Sequence, residues 1–195
     1  MTAAFCLLRN TLILIALSAG LIPGSALFSY ANAPVAPQAV LQGIGSAKVQ
    51  GQARLKVYGF NIYDAKLWVS EGFSAENYAQ EPFALELKYL RNFSGEMIAE
   101  RSLKEMQRIG DVSAEKSAQW LDVMKKTFPD VKKGDQLIGI HRPDGSASFV
   151  LNGKSVGEVK DAQFNRLFFG IWLSPKSSEP KMRRELIGAN SGDAK

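Results

Sequence analysis

The chain has 195 residues, a mass of 21.3 kDa, a formal net charge of +5 and a pI near 9.3. That length suits one ordinary domain, and 46% apolar with 22% charged residues is globular rather than disordered usage. A single Cys excludes an internal disulfide, and a single His excludes a dense His/Cys metal centre or a His-pair metalloprotease motif.

At the N-terminus, Arg9 is the only charged residue before Lys48. The apolar run Thr11–Leu17 follows, then the breakers Gly20, Pro23 and Gly24, with small residues at Ser29 and Ala31. This order of features is that of a secretory signal and predicts a removable segment over residues 1–31. A cut after Ala33 is the alternative, but it would leave Pro34 next to the scissile bond. The apolar run is shorter than the roughly 20 residues a bilayer span needs, so no stable membrane span is expected after processing. Processing leaves 164 residues, removes Cys6 and excludes thiol catalysis. The expected location is an oxidising, exported compartment.

Residues 32–45 carry Pro34, Pro37, Gly43 and Gly45 and read as an extended lead-in to a domain over residues 46–188. Tyr58-Gly59 is the expected turn of a first hairpin, placing Leu55, Val57, Phe60 and Ile62 on one face. Beyond it the apolar set becomes Tyr63, Ala65, Leu67 and Val69, so a bulge near Ile62–Asp64 is expected. A third strand alternates through Phe83, Leu85, Leu87 and Tyr89. Two helices follow, one from Ser94 to Gly110 and one opened by Ser113 and stopped by Pro129. Strands resume at residues 136–141, 147–151 and 155–159, with hairpin turns at Asp144-Gly145 and Asn152-Gly153. Asp161 caps a third helix, a short one covers residues 179–186, and residues 189–195 form a frayed tail. The order is α+β, with a largely antiparallel sheet and helices against one face.

Catalytic sets are thin. His141 ends a strand and has no acid–nucleophile constellation tied to it by spacing. Glu96/Glu100 and Glu100/Lys104 sit at helical spacing and read as a solvated face. The Lys and Arg residues are scattered rather than gathered on one helix, a poor pattern for nucleic acid. Arg54 is the more informative cation. If the Tyr58-Gly59 turn pairs position 57 with 60, Arg54 falls opposite Tyr63, on the face away from Leu55 and Ile62. Guanidinium and phenol side by side form a donor pair suited to a carboxylate or enolate oxygen, or simply an exposed Arg over a ring.

The stretch from Gly51 to Val69, the block Tyr89-Leu90-Arg91-Asn92-Phe93-Ser94-Gly95 and the block Leu167–Pro175 together resemble the chalcone isomerase-like family, bacterial exported branch. The resemblance covers roughly residues 43–186 and implies an open-faced β-sandwich: a large antiparallel sheet wrapped by helices, with an apolar cleft between the layers. It implies that Arg54 and Tyr63 hold a ligand carboxylate, as in the family's fatty-acid-binding branch, and that Ser174 is a hydroxyl near the pocket. It implies the bacterial periplasm as the compartment. The catalytic tyrosine of true chalcone isomerases falls on Ile98, which can neither donate nor orient a proton, while the family's Lys and Asn fall on Arg101 and Glu105.

The expectation is therefore a non-catalytic exported protein that binds an apolar small carboxylate such as a fatty acid, with Arg54, Tyr63 and Ser174 as ligand-binding residues. It needs no cofactor or metal. The alternatives are an isomerase or intramolecular lyase acting on a small aromatic or enone substrate, and an envelope interaction module whose cleft is filled by Trp68, Phe168 or Trp172.

Overall fold

The computed structural model describes residues 34–189. The expected signal segment and all but the first residue of the expected tail lie outside them. Six strands form one antiparallel sheet in sequence order: β1 (Lys48–Val57), β2 (Phe60–Val69), β3 (Phe83–Tyr89), β4 (Gln136–His141), β5 (Ser146–Leu151) and β6 (Lys154–Lys160). With every neighbour in space also a neighbour in sequence, tight turns make most of the connections, and the longest excursion, from β3 to β4, carries two helices.

Alternation divides each strand between two layers. Phe83, Leu85, Leu87 and Tyr89 of β3 enter the larger core, whereas Ala84 joins a smaller cluster on the opposite face. In β4, Leu137 faces the larger core, and Ile138 and Ile140 face away. The larger core is covered by α2 (Gly95–Ile109), α3 (Ala114–Thr127), α4 (Ala162–Leu173) and α5 (Pro180–Ile187).

Three of these helices begin where the sequence places a cap. Ser94 and Ser113 accept the Met97 and Lys116 amides, each at 3.2 Å. Asp161 accepts the Phe164 amide at 2.9 Å and, with its other oxygen, the Trp120 indole N–H at 3.0 Å. The cap of α4 thereby also fixes α3. At the far side α5 crosses β1 so closely that a side chain at Gly51 would strike the Leu186 carbonyl, and Gln50 Nε2 donates to Ile187 O at 2.9 Å.

The lead-in departs from expectation. Residues 38–44 form a helix, α1 (Gln38–Ile44), despite the flanking Pro and Gly. Its Val40 is fully buried against Trp68, Ala84, Ile138, Ile140 and Val150 on the second face of the sheet. Tertiary burial holds this short helix where local propensity would not. Helices therefore cover both faces, not one. A 3-10 turn at Ala75–Gln80, also unforeseen, joins β2 to β3.

The expected bulge is present at the expected place, and it changes what the hairpin presents. Val57 pairs with Phe60 and Lys56 with Asn61, but the next pair is Leu55 with Tyr63, leaving Ile62 as the extra residue. Arg54 then pairs with Asp64, not with Tyr63. The expected Arg54–Tyr63 cross-strand pair does not form, because one inserted residue moves each side chain beyond it by one place.

Candidate ligand-binding site

Between the sheet and the helices lies a cavity of about 350 Å³. Its floor is made by Leu55, Val57, Ile62, Tyr63, Leu87 and Tyr89 from the first three strands. The bulge explains how the sequence neighbours Ile62 and Tyr63 can both belong to it. The α2 wall is Met97, Ile98, Arg101, Ser102 and Glu105, a set at helical spacing. Phe168, Ile171 and Trp172 of α4 close the back, and Ser178, Glu179 and Met182 at the start of α5 complete the rim. Beneath Phe168 and Trp172 lies a second void of only about 10 Å³, which shares Leu87, Leu137, Phe168 and Trp172 with the main cavity.

Two polar groups give this largely apolar space a direction. The Tyr63 hydroxyl accepts the Trp172 indole N–H at 3.0 Å, so its own proton is left to donate. Its ring packs edge-on against Tyr89, with centroids 6.0 Å apart. Burial holds the Tyr63 phenol well above its ordinary pKa of 10.0, and burial likewise raises Tyr89. Both remain neutral hydrogen-bond donors.

Arg101 is the cation of the lining. Its guanidinium contacts the nearly buried Glu105 carboxylate at 2.7 Å, and Arg108 approaches the other oxygen of Glu105 at 3.6 Å. A buried carboxylate held by two arginines stays balanced when one of them turns to a third partner. Arg101 is itself 65% exposed, so it has freedom to do so.

The sequence-derived residues separate clearly. Tyr63 lies in the lining, as do Ile98, Arg101 and Glu105, the α2 positions at which the sequence departs from chalcone isomerases. Arg54 does not: its guanidinium forms a two-point ion pair with Asp64, the second contact at 2.9 Å, and it lies outside the lining. Ser174 is also outside; it is buried, and its hydroxyl accepts the Lys176 amide at 3.1 Å within the turn after α4. Ser102 and Ser178 are the serines of the lining. His141 is buried away from it, stacked on Phe83 at 4.9 Å with Nδ1 donating to Glu81 O at 2.9 Å. Of the three aromatics expected to fill the cleft, Phe168 and Trp172 wall it, whereas Trp68 belongs to the opposite face and donates to Glu86 at 2.7 Å.

Arg101 was within reach of sequence reasoning. Ile98, Arg101, Ser102 and Glu105 recur at three- and four-residue intervals on one helix face, a stripe whose mixed polarity hides it from a purely apolar pattern.

A single antiparallel sheet with a helix-roofed apolar cavity defines an α+β protein with the open-faced fold the sequence suggested. The family model described as chalcone isomerase-like matches residues 36–188, and the chain belongs to that family. A Haemophilus influenzae (strain Rd) protein described only as uncharacterized is 34% identical over 158 residues, covering 78% of this chain and 71% of that one. Among solved structures, an Arabidopsis thaliana fatty-acid binding protein superposes with a TM-score of 0.58 at 11% identity, over 73% of this chain and 87% of that chain. That likeness establishes the shared fold.

Proposed function

We propose that the protein binds, without transforming it, an apolar small molecule that ends in a carboxylate, a fatty acid being the best candidate. The observation that carries this reading is the Tyr63 hydroxyl: its oxygen is engaged by Trp172, and its free proton belongs to an apolar cavity whose lining also contains Arg101. A cleft with a few convergent polar groups is the usual form of such a site. The ligand of the Arabidopsis neighbour is consistent with it. Arg101 takes the role the sequence had suggested for Arg54, with Arg108 left to balance Glu105. Catalysis is less well supported: Ile98 contributes only alkyl surface, and Glu105 is tied by two arginines. The N-terminal sequence pattern supports export as the setting.

The test pairs two ligands of equal chain length, a fatty acid and the corresponding alcohol. Hydrogen bonds to a charged group contribute roughly 1.5–3 kcal/mol each, so Arg101→Gln should weaken acid binding about tenfold or more. The alcohol should be little affected, and Arg54→Ala should change neither. Equal acid affinity in wild type and Arg101→Gln, with no lipid recovered by extraction and mass spectrometry from the purified protein, would overturn the proposal.

A further inference from the structure

The two β-hairpin turns that use a residue-Gly pair in the left-handed region differ in one respect. Asn152-Gly153 has φ of 47° and 81°, and Tyr58-Gly59 has 48° and 82°. Asn is the residue this geometry favours; a bulky aromatic there is strained. Tyr58 recovers nothing from the fold, since it is 97% exposed. Beside it, Phe60 is 57% exposed and pairs across the strands with Val57, a cavity residue. Met97, also in the lining, is 56% exposed on α2. The large apolar side chains at this end therefore run from the hairpin tip into the cavity mouth.

The charge around them is predominantly positive. The Arg91 guanidinium lies 4.7 Å from the centroid of the Phe60 ring. Asn92 binds the Lys133 amide, which brings Lys132 and Lys133 to the same end, and Lys56 adjoins Val57. None of these four cations has an ion-pair partner among the described residues. The nearby acids are engaged: Asp64 by Arg54, Glu96 by Lys125, Asp130 by the Gly95 amide and Asp135 by the Lys132 amide.

We infer that the Tyr58–Phe60 tip is a docking element for an anionic lipid surface, which it enters with Tyr58 and Phe60 while Arg91, Lys132 and Lys133 meet the headgroups. Tyrosine at the water–lipid boundary and cations above an anionic leaflet are each favourable. The cavity mouth then faces the bilayer. Direct passage of an apolar ligand between bilayer and cavity follows if the ligand reading above holds; docking itself does not depend on it.

Flotation of the whole protein with vesicles tests this, using equal parts phosphatidylglycerol and phosphatidylcholine against phosphatidylcholine alone, both free of fatty acid. The protein should float with the anionic vesicles and be released by high salt. Tyr58→Asn combined with Phe60→Thr should reduce the bound fraction at least tenfold with an unchanged or higher Tm, because Asn relieves the turn. Phe60→Trp should bind and show a blue-shifted emission on the anionic vesicles. The inference is overturned by absence of flotation, by equal flotation of the double variant, or by a lipid-independent dimer that the double variant abolishes. Ligand recovered by extraction without vesicle binding would remove docking alone.

Discussion

Tyr63 and His141 show how burial sets what a single side chain can do. Both are held in their neutral forms by desolvation, but only Tyr63 reaches the cavity. Tyr63→Phe should weaken carboxylate binding about tenfold, the effect of one hydrogen bond to a charged group, and leave the indole N–H of Trp172 without its acceptor. For His141, burial lowers the folded pKa below its ordinary 6.5. The unfolded chain then binds a proton that the folded chain does not, so stability is full above about pH 6.5 and falls as the pH drops toward the depressed folded value. Thermal melts between pH 7.5 and 5 should show this loss, and His141→Asn should flatten it while lowering stability throughout.

At the scale of elements, the Asp161 cap joins two helices with one carboxylate. Asp161→Ala removes the α4 cap, at a cost of about 0.5–2 kcal/mol, and leaves the buried Trp120 indole N–H unpaired, adding roughly 1–3 kcal/mol. A fall in the urea midpoint without a change in slope would report it. Phe168 lines both the main cavity and the smaller void. Phe168→Ala should join them, lowering stability by about 3–5 kcal/mol and shifting preference toward bulkier apolar ligands in competition binding. The helices with side-chain caps were legible in the sequence because Ser94, Ser113 and Asp161 stand directly before apolar periodicity. Helix α1 was not legible: its seven residues sit between Pro37 and Gly45, and Val40 gains its partners from strands more than twenty residues away. The bulge was legible to within three residues. Which residue it expelled was not, and that choice decides whether Tyr63 faces Arg54 or Leu55.

At the scale of the molecule, the sheet is covered unequally. The larger core supports the cavity, and the smaller cluster on the other face depends on α1. Val40→Asp should therefore expose apolar sheet surface and increase dye binding, and the site should be lost only as the whole sheet loosens. The candidate site was partly legible at this scale: Tyr63 lies in the cavity lining, whereas Arg54 and Ser174 lie outside it. Alternation places residues on faces only while the register runs without interruption. No helix among the described residues is long and apolar enough to cross a membrane.

The extra residue in β2 has one more consequence. Because Lys56–Asn61 and Leu55–Tyr63 are already successive pairs, deleting Ile62 should close the β1–β2 ladder at this point, at the cost of the bond from the Leu90 amide to the Ile62 carbonyl and with the second irregularity at Gln50 left in place. The bulge is thus a spacer that can be gained or lost in one step, altering the aim of the hairpin and the volume of the cleft while the rest of the sheet keeps its pairing. A chain lacking Ile62 should still melt cooperatively. Within such a fold, insertion and deletion at this point offer a route to new ligand size that leaves the core side chains unchanged.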